Sequence, residues 1–156
     1  MSLDERVQEL GLELPPAPKP LGVYRPLVVV GNLIYVSGHA PLLADGSMLK
    51  GRVGQDLDLP AGARAARQCG LAILSTLRAG LGSLGRVQRL VRTLGLVNCS
   101  PDFHHLPAVV NGFSELMVEV FGPDRGVGVR SVVGAASLPG NIPVEVEAIF
   151  EMGPGS

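Results

Sequence analysis

At 156 residues the chain is the size of one ordinary domain, and 46% hydrophobic against 17% charged residues is apolar enough to bury a core and excludes a disordered chain. A net charge of -1 provides no global field for nucleic acid, and two cysteines, Cys69 and Cys99, are too few for a disulfide scaffold. The polar start MSLDERVQEL has no apolar signal core and every apolar stretch is too short to span a bilayer, so a cytoplasmic protein is expected.

Residues 3–11 predict a short amphipathic helix with Leu3, Val7 and Leu10 on one face and Gly11 as its stop. LELPPAPKPLG follows as an extended proline-rich arm, because proline fixes φ and removes donors. Residues 1–22 are thus set apart as helix and arm, and a single domain is expected over 23–152. RPLVVVGNLIYVSG holds two β-branched runs around Gly31-Asn32, a hairpin signal. Gly46 and Gly51 bracket a further short extended piece, SMLKGRVG. Pro60 opens a helix from Ala61 to about Leu84, with a stripe of mainly small apolar residues (Ala65, Cys69, Ala72, Ile73, Leu77) suited to lying close on a sheet.

RVQRLVRTLGLVNC predicts a strand, although its first nine residues also fit a helix. A second long helix runs from Pro107 to Phe121, with Val110, Phe113, Leu116, Met117 and Val120 at core spacing and Gly122-Pro123 as its stop. Two strands close the chain, VGVRSVVGAAS and PVEVEAIFE, joined by LPGN. The second alternates Val144, Val146, Ala148 and Phe150 against Glu145, Glu147 and Glu151. This order predicts an α+β fold, a mixed sheet with two main helices packed on one face. The other face must be wet or covered, and self-association is a natural cover.

Arg130 stands inside an apolar strand pattern, where an unpartnered guanidinium is costly. Either it pairs with Glu145 or Glu147 on a neighbouring strand, or its planar fork waits for a ligand carboxylate. Glu145 and Glu147 read either as a solvated face or, if that face lines a cleft, as a source of a water-activating carboxylate. Tyr24 and Tyr35 offer hydroxyls, but strand tyrosines commonly pack. Ser37-Gly38-His39 lacks the glycines of a nucleophile elbow and an Asp at a telling distance, and His39 reads equally as a surface loop residue. His104 and His105 are adjacent and diverge, and no CxxC or HExxH stands in the chain, so no metal is expected. GNLIYVSG has no phosphate-loop spacing.

The segment VRSVVGAASLPGNIPVEVEAIF resembles the signature of the RidA/YjgF family: Arg130-Ser131, then Leu138-Pro139, then a strand carrying Glu145 and ending Glu147-Ala148-Ile149. LIYVSGHAP and VNGFSELMVEVFG resemble two further family segments, and the likeness spans about residues 23–151. The resemblance implies a chorismate-mutase-like fold, a homotrimer with sites at inter-subunit clefts, and hydrolytic deamination of small reactive enamine or imine acids of the 2-aminoacrylate type, giving 2-keto acids and ammonia without a cofactor. Carried over, Arg130 would bind the substrate carboxylate and Glu145 would position the attacking water. Groups around Gly38, with Tyr24, Ser37, Asn111, Ser131 and Pro139, would bind substrate or shape the pocket. The chain departs from the archetype at Val132, Gly134, Ser137, His39 and Arg25-Pro26, and its N-terminal helix and arm are extra, which marks a divergent branch.

Two further readings compete with the deaminase. One is a non-catalytic trimer that binds a small carboxylate metabolite or a protein partner. The other is ribonuclease activity, against which the neutral charge and the lack of a basic, aromatic surface argue.

Overall fold

A computed structural model describes residues 1–154. Its elements in chain order are α1 (Leu3–Glu9), β1 (Leu27–Val30), β2 (Leu33–His39), α2 (Leu59–Leu81), β3 (Val87–Asn98), α3 (Leu106–Arg125), β4 (Val129–Ala135) and β5 (Val144–Met152). Single 3₁₀ turns lie at Leu84–Arg86 and Pro139–Asn141. The strands form one sheet in the order β1-β2-β5-β3-β4, in which β3 and β4 run parallel and all other pairs antiparallel. The α+β architecture expected from the sequence is present.

Each helix starts where local chemistry favours it. Ser2 and Glu5 form a reciprocal capping box at α1. At α2 the Asp58 carboxylate accepts from the Ala61 N–H, and Pro60 occupies the first turn. The predicted stop of α3 is a real break, with Gly122 at φ 92°, but one more turn follows to Arg125. α2 and α3 lie on one face of the sheet and bury Ile73, Leu74, Leu77, Phe113, Leu116 and Met117 against Val97, Val144 and Phe150.

Two sequence expectations need correction or resolution. The extended piece at residues 47–54 is no strand of the sheet; it makes only isolated bridges, Leu42 with Met48 and Val53 with Leu57 and Cys99. Gly46, Gly51 and Gly54 all have positive φ, which turns the chain out of the extended region. The ambiguous run at residues 86–94 is strand from Val87 onward, with Arg86 closing the 3₁₀ turn before it. Two register shifts on β3, between Val87 and Arg89 and between Leu90 and Arg92, leave Val87, Leu90 and Thr93 buried at a spacing of three. That spacing is what mimicked a helix.

The segment set apart by sequence, residues 1–22, packs on the rest of the chain. Val7 is 3% exposed within the core cluster. Arg6 Nε donates to the Glu119 carbonyl at 3.1 Å, and Ser75 Oγ of α2 donates to the Pro15 carbonyl at 2.5 Å.

The sheet face away from the helices is open. Register places Val28, Tyr35, Ile149, Arg92 and Val129 in one row across all five strands of that face. Val28 and Tyr35 are each 42% exposed and Val129 67%.

Candidate active site

The site residues expected from sequence fall into two groups, on opposite sides of the sheet. Arg130 is the second residue of β4 and pairs with Thr93, which pairs with Ala148. Residues in one such row point to one side. Thr93 and Ala148 are buried under the helices, so Arg130 also points to the helix side, at the sheet edge. There its Nη1 donates to Asn111 Oδ1 at 2.8 Å and to Ser114 Oγ at 3.1 Å. Asn111 and Ser114 sit one turn apart on α3 and so share a face. Ser114 was missed by sequence reasoning, although its i+3 spacing from Asn111 is the signal that finds it.

Neither carboxylate proposed from sequence as a structural partner meets Arg130. Glu145 and Glu147 are an odd number of positions from Ala148 on β5 and point to the other face. Among the described residues the ion pairs are Arg6–Glu9 and Arg67–Glu119, and Arg130 makes none. Its bonds employ one nitrogen of the fork. A groove of about 610 Å³ opens beside it, lined by Thr93, Val118 and Val127 among others.

The second group gathers at an irregularity in β2. Val36 pairs with Ala148 and His39 with Val146, so Ser37 and Gly38 together oppose Glu147 alone: a β-bulge. Gly38 lies against Glu145, and a β-carbon at Gly38 would stand 2.7 Å from Glu145 Oε1. Ser37 ties the bulge to the segment leading into β1, its N–H donating to the Pro26 carbonyl at 2.9 Å and its hydroxyl to the Arg25 carbonyl at 2.5 Å. Tyr24 stands just before Arg25 in that segment, half exposed, its hydroxyl accepting from the Leu21 N–H at 3.3 Å.

Burial pushes the Glu145 carboxyl above its ordinary range, and the charge of Glu147 adds to the rise. A carboxylate so raised is a better proton acceptor near neutral pH. A smaller hollow of about 220 Å³ lies beside the bulge, between Arg25, Tyr35, Ser37, Arg92 and Glu147.

The remaining expected residues flank these groups. Ser131 lies on the open face, in the row of Leu94 and Glu147. Pro139 begins the turn feeding β5, and the buried Asn98 holds that turn by donating to Asn141 Oδ1 and the Ile142 carbonyl, both at 3.1 Å. His39 is no surface residue: it is 4% exposed, with both ring nitrogens bonded. The short spacing of Ser37-Gly38-His39 concealed this, because the bulge returns His39 to the buried face.

An α+β chain with helices on one side of a mixed sheet, an unpaired arginine at the edge of β4 and a strand ending in alternating glutamates defines the class. The family described as "YjgF/chorismate_mutase-like, putative endoribonuclease" matches residues 4–149, and the chain belongs to it. The chain is similar to Protein TCP17 of Trypanosoma cruzi, at 40% identity over 94% of this chain and 91% of that one. It is also similar to a 2-iminobutanoate/2-iminopropanoate deaminase of Dermatophagoides farinae, at 27% identity over 88% of this chain and 92% of that one. The crystal structure of Atu1372, a protein of unknown function from Agrobacterium tumefaciens, superposes with a TM-score of 0.87 at 38% identity, covering 97% of this chain and 94% of that one. Among the described residues no helix is long and apolar enough to cross a membrane.

Proposed function

We propose that this protein hydrolyses small enamine or imine acids to 2-keto acids and ammonia, at clefts between the copies of a cytoplasmic homotrimer. The observation that carries the reading is Arg130. Its guanidinium is fixed by Asn111 and Ser114, has no carboxylate partner among the described residues, and borders an open groove. A fork so held is ready for a ligand carboxylate. The deaminase from Dermatophagoides farinae lends support at the level of the family.

The chemistry suits the residues. An imine carbon is already electrophilic, so a carboxylate clamp and one oriented water suffice. Water adds to the carbon while Glu145 accepts its proton. That proton passes to the nitrogen, giving a carbinolamine; its hydroxyl then gives up its proton, by way of Glu145, to the nitrogen as the carbonyl forms and the C–N bond breaks, and ammonia and the 2-keto acid leave. In this reading Tyr24, Ser37, Gly38, Ser131 and Pro139 shape the cleft around the reacting carbon. Since Arg130 and Glu145 lie on opposite sides of one chain, the Glu145 of one copy would complete the Arg130 half of another. The open, partly apolar sheet face would be covered in the same assembly.

The test generates 2-aminoacrylate or a bulkier imine acid in situ and follows its decay with wild type and Arg130→Ala. Faster decay with wild type and none with the variant supports the reading. If wild type leaves every side-chain size untouched, the enzyme claim falls and the Arg130 groove stands as a binding site for a carboxylate metabolite.

A further inference from the structure

His39 lies under the bulge with every polar atom of its ring in use. Nδ1 is 2.6 Å from the carbonyl oxygen of Ser37, and Nε2 is 2.7 Å from Thr76 Oγ1 on α2. A carbonyl only accepts, so Nδ1 carries the proton. Nε2 of the neutral ring then accepts from the Thr76 hydroxyl, and Thr76, itself 3% exposed, anchors the ring in that orientation. Burial disfavours the charged ring.

The bond to Ser37 has a consequence for the next residue. The Ser37–Gly38 peptide is planar and trans, so its C=O and N–H point in opposite directions. His39 draws the carbonyl towards its own ring on the helix side. The Gly38 N–H must therefore point away from that ring, towards the open face of the sheet. Glu145 presses against Gly38 from β5. We infer that His39, locked by Thr76, is a positioning residue that turns the Gly38 N–H outward beside Glu145 and so builds the Glu145 half of the site. The role deepens the deaminase reading and rests on it for its catalytic meaning, but the geometry it asserts exists in the unliganded protein.

The test employs three variants of the full chain. His39→Gln offers one donor and one acceptor, His39→Leu offers neither, and Thr76→Val keeps the ring and removes its lock. ¹⁵N spectra of the wild type should show His39 protonated at Nδ1 alone, and Thr76→Val should keep that tautomer, which the Ser37 carbonyl sets, while Nε2 loses its hydrogen bond and the ring its anchor on α2. The Gly38 amide resonance should move in Thr76→Val and His39→Leu and stay near its wild-type place in His39→Gln. In the imine-acid assay His39→Leu should lose on the order of tenfold to a hundredfold in kcat, as misplacement of a site group does, with KM little changed because Arg130 is intact. His39→Gln should restore most of the loss.

A wild-type ring protonated at Nε2 would overturn the inference. So would a Gly38 amide unmoved in Thr76→Val, which keeps the result decisive even where His39→Leu fails to fold. These spectra need no turnover. An absence of deamination in the wild type would remove the functional reading, and the resonances of His39 and Gly38 would still decide the positioning role.

Discussion

Arg130 and Glu145 stand on opposite faces of one sheet, two strands apart: the row through Arg130 meets β5 at Ala148, three residues from Glu145. A single copy therefore cannot bring both to one small substrate. If two copies complete the site between them, subunits carrying Arg130→Ala mixed with subunits carrying Glu145→Gln should regain part of the lost activity after dissociation and reassembly. Each variant alone should stay inactive. No recovery in assemblies shown by mass to be mixed would place the two residues in separate sites.

The fork of Arg130 is matched to a planar acid, so charge alone should not replace it. Arg130→Lys is expected to raise KM by about tenfold or more, since lysine cannot bind two oxygens in one plane. Asn111→Ala removes one orienting bond and should cost about 0.5–1.5 kcal/mol in kcat/KM, a typical net hydrogen bond. Steady-state kinetics on one imine acid compares both.

Gly38 is needed for space, not for an unusual φ. An alanine methyl would lie 2.7 Å from Glu145 Oε1, and the carboxylate would have to swing away. Gly38→Ala should lower kcat at least tenfold, the scale of a displaced general base, while thermal unfolding shifts little because Gly38 is exposed. Unchanged kcat would mean that the carboxylate does not act from this place.

At Gly112 on α3 the backbone of α2 comes too near for any side chain. A β-carbon there would stand 1.9 Å from the Ala63 carbonyl oxygen, which is backbone and cannot yield alone. Gly112→Ala should destabilise by about 1–3 kcal/mol or more through forced separation of α2 and α3. Urea unfolding monitored by circular dichroism measures it.

His39 also makes stability depend on pH. Its folded pKa is lowered from 6.5, first by burial, so between the two values the unfolded chain binds more protons than the folded one. Stability should be full above pH 6.5 and decline as pH falls through the window below it. Cys69 on α2 stays protonated there, and Glu145 on β5, with its raised pKa, gains a proton in the same acid range and opposes the loss. Urea midpoints at several pH values should thus fall less steeply in His39→Gln.

Much of the architecture was legible because it rests on local chemistry. Pro60 and Asp58 start α2, Gly31-Asn32 turns the hairpin, and the alternation of Val144 to Phe150 fixes the faces of β5. Failures came where tertiary detail overrides local pattern. The shifts on β3 blurred its period, three positive-φ glycines broke the presumed strand after β2, and the bulge moved His39 inside. Arg130 and Asn111 could be singled out, but which face each residue took depended on register, and single-sequence patterns do not reveal which strand pairs with which.

The strand order carries one more implication, for synthesis. β5 occupies the middle of the sheet, between β2 and β3, yet it is the last of the five strands to leave the ribosome. Until then the β1–β2 hairpin and the β3–β4 pair have no common neighbour, and the apolar faces of α2 and α3 have only half a platform to settle on. The nascent chain must wait with those surfaces uncovered, and closure comes as one late event when the glutamate-bearing strand slots between its partners.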